Sequence, residues 1–156
     1  MGLDMYLEAK LYLSKYSGDK ELFEKVYELE PYKYTENVKS VSLEFPVGYW
    51  RKANWIHKWF VDNVQGGDDD CGSYTVSLPE LKQLMDVCYE VITDNSKADE
   101  LLPTTSGFFF GSTNYDEFYF TQVTNTYKIL KELVDELEKY KTPLNNRAWI
   151  EYQASW

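Results

Sequence analysis

The stretch Met5-Tyr6-Leu7-Glu8-Ala9-Lys10-Leu11-Tyr12-Leu13 decides the fold. Met5, Leu7, Ala9, Leu11 and Leu13 fall on one side, and Tyr6, Glu8, Lys10 and Tyr12 on the other. A period of two is the mark of a strand with one face in a core and one in water. Strands of a regular parallel βαβ fold are covered on both faces and read as unbroken apolar runs. The alternation therefore points to an antiparallel or mixed sheet with its helices stacked on one side.

Working outward, Ser17-Gly18-Asp19 reads as a turn and Lys20 to Leu29 as a short helix with Leu22, Phe23, Val26 and Leu29 on one face, ended by Pro31. Val41, Leu43 and Phe45 alternate again, so a second strand is expected over Val38 to Phe45, broken by Pro46 to Tyr49. Ala53, Ile56, His57, Phe60, Val61 and Val64 recur at helical spacing and predict a helix over Arg51 to Val64. Gln65 to Asp70 is a loop and Ser73 to Val76 a short edge strand. Ser77-Leu78-Pro79-Glu80 carries a capping box with Pro in the first turn, and the helix behind it buries Leu81, Leu84, Met85, Cys88, Val91 and Ile92. Leu101 to Gly111 is a loop. Asn114-Tyr115-Asp116-Glu117 opens the longest helix, with a stripe from Tyr119 through Val123, Thr126 and Leu130 to Leu137. Pro143 to Asn146 is a turn, and Ala148 to Gln153 alternates as a last strand. The expectation is an α+β fold in which residues 1–156 form a single globular domain, with three to four helices packed on a small antiparallel or mixed sheet as one layer pair.

The 156 residues carry 26 Asp plus Glu against 16 Lys plus Arg, a net charge of -10. Phosphate backbones are held mainly by Lys and Arg, so nucleic acid is not an expected partner. No apolar run reaches the length of a membrane helix. Acidity serves solubility, and it also suits a basic protein surface or a pocket of opposite local charge. The first residues lack a basic segment followed by an apolar one, and Tyr6 stands where a myristoylation signal needs Ser or Thr. A cytoplasmic protein with Cys71 and Cys88 reduced is expected.

Chemistry-bearing residues are few. Fourteen Lys stand against two Arg, and Arg51 and Arg147 each lie beside a Trp. Arg bonds phosphate or carboxylate with two prongs and stacks on rings, although stacking on the neighbouring indole is reason enough for either residue. Thr104-Thr105-Ser106-Gly107-Phe108-Phe109-Phe110-Gly111-Ser112-Thr113 brackets three Phe with two Gly and leads into a helix, either as an anion site at the helix start or as an aromatic plug with a cap. His57, the one histidine, is a candidate acid or base or a hydrogen-bonded core residue. Nucleophile elbows, dinucleotide motifs and zinc spacing are not seen, and Asp68-Asp69-Asp70 lacks the spacing of a calcium loop. Neither catalytic residue, metal nor cofactor is assigned. What remains is a ligand-binding set: Trp50, Arg51, Lys52, Asn54, His57, Ser106, Gly107, Gly111, Ser112, Thr113, Arg147 and Trp149. Rings stack a base, amides read its edge, and Arg with backbone amides holds phosphate.

Four blocks, Met-Gly-Leu-Asp-Met-Tyr-Leu at the start, Tyr49-Trp50-Arg51-Lys52-Ala53-Asn54 through Phe60, Leu101-Leu102-Pro103-Thr104 through Glu117, and Glu151-Tyr152-Gln153-Ala154-Ser155-Trp156, resemble a group of small proteins carried by phages and prophages. The resemblance implies the cytoplasm of an infected bacterium and a counter-defence role, and it transfers no site residues. With the ligand-binding set it gives a first expectation: a protein that sequesters a nucleotide-derived immune signal without cleaving it, as a monomer or a homo-oligomer. A second is an acidic inhibitor, or nucleic-acid mimic, docking on a basic host protein. A third is a small hydrolase using His57.

Overall fold

The computed structural model describes residues 2–29, 37–140, 144 and 147–156. Pro31 and most of the turn expected over Pro143 to Asn146 lie outside them. Among the described residues the order is β1 (Asp4–Ser14), α1 (Lys20–Glu28), β2 (Ser40–Arg51), α2 (Asn54–Asn63), β3 (Ser73–Val76), α3 (Leu78–Thr93), a 3-10 turn (Asn95–Lys97), α4 (Ala98–Leu101), α5 (Glu117–Lys139) and β4 (Ala148–Ser155). The strands form one sheet in the order β2-β1-β4-β3, antiparallel at every pairing. The fold is α+β, as the alternating strands predict.

β1 alternates as its sequence requires. Met5, Leu7 and Leu13 are buried, together with Trp50, Ile150, Tyr152 and Ala154 from its neighbours and Val76 from β3. Helices α2, α3 and α5 bring Ile56, Phe60, Leu81, Leu84, Cys88, Val123 and Leu130 into the same cluster. On the other face Lys10 bridges three carboxylates, Glu151 at 2.5 Å, Glu8 at 3.4 Å and Glu44 at 3.5 Å. Glu8 and Glu151 stand opposite each other across the strands. Without Lys10 that pair would repel.

Two boundaries depart from expectation for physical reasons. β2 does not break at Pro46 to Tyr49. It is an edge strand, where a proline removes no ladder bond that the sheet needs. The register moves from Leu7 opposite Gly48 to Glu8 opposite Pro46, so Val47 is an extra residue in a bulge. Trp50 and Arg51 are therefore strand residues opposite Met5 and Asp4, and α2 starts only at Asn54. The reversal between them runs through Lys52, held at a left-handed φ of 58°. The second departure is α4, a single turn ahead of the loop that was expected from Leu101.

Capping follows the sequence closely. The Ser77 hydroxyl accepts from Glu80 N–H while the Glu80 carboxylate accepts from Ser77 N–H. The Asp116 side chain caps α5 through Tyr119 N–H. Lys82 and Glu138 pair across α3 and α5.

Trp50 ties the edge strand to α5. Its buried indole N–H donates to the Thr126 hydroxyl at 2.8 Å, and that hydroxyl donates to the Gln122 carbonyl. Thr126→Val keeps the shape and removes the acceptor. A buried donor left unpaired costs about 1–3 kcal/mol, so urea denaturation should show a loss of that order in Thr126→Val and recovery in Thr126→Ser.

Candidate functional site

Asn54, the first residue of α2, is wholly buried and organises the loop between α4 and α5. Its amide nitrogen donates to the carbonyls of Phe110 and Ser112, and its amide oxygen accepts from Thr105 N–H at 2.9 Å. One side chain thus closes both ends of the Phe-rich turn. Leu3 N–H adds a bond to the Phe109 carbonyl, stitching the turn to the approach to β1. Phe110 N–H returns to the Gly107 carbonyl, and a Cβ on Gly107 would lie 2.5 Å from the Phe110 ring. Gly111 takes a φ of 88°, and a Cβ placed on it would lie 3.1 Å from Lys52 Cβ. Gly107 is therefore required by the ring packed over it, and Gly111 by its left-handed backbone. Phe110 is buried, whereas Phe108 at the tip is 95% exposed.

Between this turn, α2 and the chain end lies a cavity of about 420 Å3, walled by Phe108, Phe109, Phe110, Val61 and Trp156, with His57, Lys58, Asp62 and Asp69 among its polar lining. His57 is buried and bonded at both ring nitrogens, Nδ1 to the Tyr152 hydroxyl at 2.8 Å and Nε2 to Asp69 Oδ1 at 3.0 Å. Burial lowers its pKa below 6.5, with the Asp69 carboxylate opposing that shift. The imidazole is therefore neutral at pH 7, and the consistent pattern has Tyr152 O–H donating to Nδ1 and Nε2–H donating to Asp69. Trp156 Nε1–H donates to the same Asp69 oxygen at 3.0 Å. Burial also holds the Tyr152 hydroxyl well above its ordinary pKa. With both ring nitrogens engaged internally, His57 offers none to a substrate.

A second concavity of about 470 Å3 opens between the end of β2 and α5. Trp50 lies along it, Tyr49 and Arg51 come from the strand, and Phe118, Gln122, Asn125, Lys128 and Ile129 from the helix. Tyr49 and Phe118 are half exposed. Arg51 makes one loose ion pair, Nε to Asp4 Oδ1 at 3.9 Å, and Asp4 also accepts the Tyr49 hydroxyl. Lys128 has no carboxylate within 4.0 Å among the described residues.

The residues expected to form one ligand site are divided among several places. Trp50 and Arg51 reach the β2–α5 groove. His57, Ser106 and Gly107 border the Phe-rich cavity. Lys52, in the turn after β2, lies close beside Gly111 of the Phe-rich loop. Asn54 is spent on the loop. Ser112 and Thr113 give their carbonyls to Asn54 and to the Thr104 hydroxyl, and the α5 N-terminus they were expected to complete as an anion site is closed by the Asp116 carboxylate. Arg147 and Trp149 stand apart. Arg147 pairs with Asp19 at 2.5 Å and accepts Tyr12 N–H at its carbonyl, whereas Arg51 is opposite Asp4. Eight residues of extended strand separate those points, roughly 27 Å. Trp149 lies opposite Lys10 with its indole toward Glu151. No single cationic cavity joins the two arginines. Sequence reasoning missed Asp69, Trp156, Phe118, Gln122, Asn125 and Lys128. The last four carried a legible signal, an amphiphilic stripe at helical spacing beside the buried one on α5.

Among the described residues no group of three or more His, Cys, Asp or Glu side chains is placed to hold a metal ion. No helix of the described residues is long and apolar enough to cross a membrane. Compared with known proteins, the chain matches no family model, no curated protein and no solved structure.

Two outcomes test the assigned roles. Asn54→Ala removes one acceptor and two donations at once, so amide exchange at Thr105 should quicken and stability fall by at least about 1–3 kcal/mol. His57 has a folded pKa below its unfolded value, so the unfolded chain takes up a proton first. Its contribution to stability is complete above about pH 6.5 and lost as pH falls toward the lower folded pKa. Denaturation at about pH 7.5 and about pH 5.5 should show a smaller acid loss in His57→Gln than in the wild type.

Proposed function

We propose that the protein binds, without cleaving, a small anionic ligand bearing an aromatic ring, of the nucleotide class, in the groove between β2 and α5. The observation that carries this reading is the meeting of Arg51 and Lys128 with two half-exposed rings, Tyr49 and Phe118, and two amides, Gln122 and Asn125, around one concavity. The chain as a whole carries -10, so a place whose described lining has two cations and no carboxylate runs against the general field. The division of labour is direct. The guanidinium and the ammonium hold phosphate, the rings stack on a base, and the amides pair with its edge. The volume is within the ordinary range for small-molecule sites. Trp50 holds the two walls at a set separation through Thr126.

Binding without turnover is the reading because none of the described residues lining the groove is histidine, cysteine or serine, and the Asp4 carboxylate beside it is engaged by Tyr49 and Arg51. Taken with the resemblance to phage-carried proteins, this makes the chain a sponge for a nucleotide-derived immune signal in the cytoplasm of an infected bacterium.

The deciding experiment exposes the purified protein to lysate from defence-activated bacteria, then heats it and identifies the released small molecules by mass spectrometry. An intact nucleotide-like anion is expected. Arg51→Ala and Lys128→Ala should each weaken its binding by about ten- to a hundred-fold, the range of one charge-assisted hydrogen bond. Release of nothing, undiminished uptake by the double variant, or release of a cleaved product overturns the reading.

A further inference from the structure

We infer that the cavity between the Phe-rich turn and the chain end is a receptor for an arginine side chain presented by a basic protein partner. It is separate from the β2–α5 groove, shares no lining residue with it and does not depend on what that groove binds.

The charge of the cavity carries the inference first. Its charged lining is Lys58, Asp62 and Asp69, and Lys58 is already paired with Asp62 at 2.6 Å. Asp69 is left without a cation. Its Oδ1 accepts from His57 and from Trp156, both neutral donors, and Oδ2 has no hydrogen-bond partner among the described residues. A carboxylate so placed is oriented rather than neutralised. The imidazole behind it is itself held by Tyr152, so the carboxylate is fixed from a buried support.

The walls select the kind of cation. Trp156 is 43% exposed, and its ring packs edge-on to Phe110 at 6.1 Å between centroids. Indole and phenyl faces attract cations, and a planar guanidinium stacks on them while giving two N–H groups to one carboxylate. A strongly hydrated ammonium meets such a wall less well. An anion would meet Asp69 head on.

Phe108 identifies the source. It stands almost wholly in solvent at the tip of a turn, its ring edge-on to that of Phe109. A small molecule inside the cavity would cover only the edge of that ring turned toward it and leave most of it in water. A protein surface laid across the mouth would cover it, and a projecting aromatic beside a pocket is the arrangement of an interface anchor. Asp68 and Asp70 flank Asp69 on the same exposed loop and complement a basic surface.

The test uses the full chain and two probes, N-acetyl-arginine amide and a short arginine-containing peptide with apolar flanks. The reporter is the Trp156 indole N–H resonance, assigned with Trp156→Phe. Both probes should shift that resonance, and a peptide with citrulline in place of arginine should not. Asp69→Asn preserves shape and an acceptor for His57 and Trp156, and it should weaken both probes by about ten-fold or more. Phe108→Ala should weaken the peptide and leave the amino-acid amide unchanged. Unaltered Trp156 resonance at saturating probe, equal binding of the citrulline peptide, or equal binding by a correctly folded Asp69→Asn overturns the inference. So does a stronger response to a nucleoside monophosphate. Equal loss of both probes in Phe108→Ala would overturn the assignment to a protein partner.

Discussion

The double pairing of β1 is the constraint on which everything else rests. Its ladders run antiparallel to β2 on one side and to β4 on the other. A one-residue slip in either would carry the buried set to the open face, so the alternation of Met5, Leu7 and Leu13 permits one register only. That register sets Arg51 opposite Asp4 and Ser155 opposite the same residue, and so gathers the end of β2, the start of α2 and the chain end around the start of β1. The Phe-rich turn joins them through Leu3 and Asn54. Both concavities are products of this one end of the sheet. Arg147 is sent to the other end by the same ladder.

The parts of the fold that were legible are those in which local chemistry and tertiary packing agree. The alternation in β1 and β4, the capping box at Ser77, and the stripe of α5 each state a local preference that the core then uses. Pro46 shows the limit. As a local signal it breaks a strand, and only its place on the sheet edge beside a bulge makes it harmless, which depends on pairings remote in sequence. Candidate site residues were less legible for a related reason. Asn54 and Gly111 are where they are because the backbone needs them, and Trp50 because the core and Thr126 hold it. Asn54 satisfies three loop groups, and Gly111 makes room for Lys52. An alphabet of reactive or glycine-rich residues marks strained and tightly hydrogen-bonded structure as readily as it marks ligand contact.

His57 illustrates the same ambiguity at a single side chain. Its place on the apolar face of α2 was readable, and the choice between a catalytic and a structural role was not. The deciding contacts, Tyr152 and Asp69, come from β4 and from the loop after α2. A catalytic imidazole keeps one nitrogen for its substrate. Here both are used, and the residue that the chain of bonds delivers to the surface is Asp69. The network Tyr152–His57–Asp69–Trp156 therefore orients a carboxylate at the surface from a buried support.

Net charge, finally, is a poor guide to what a given concavity accepts. Screening confines exposed charges to about 8–10 Å at physiological ionic strength, so a bound ligand senses mainly its immediate lining. By that measure one protein of charge -10 presents two opposite environments. Arg51 and Lys128 make the β2–α5 groove locally cationic, while Asp69, bonded to His57 and Trp156 but to no Lys or Arg among the described residues, makes the Phe-rich cavity locally anionic. The long-range field of the whole molecule still acts on approach. It slows an anionic ligand and speeds a basic protein, so the two sites should respond to added salt in opposite directions: association at the groove quickens as the repulsion is screened, and association at the aromatic cavity slows. Two concavities of opposite polarity lie at one end of one sheet on separate linings, and the sign of the salt dependence of binding at each would distinguish them without any mutation.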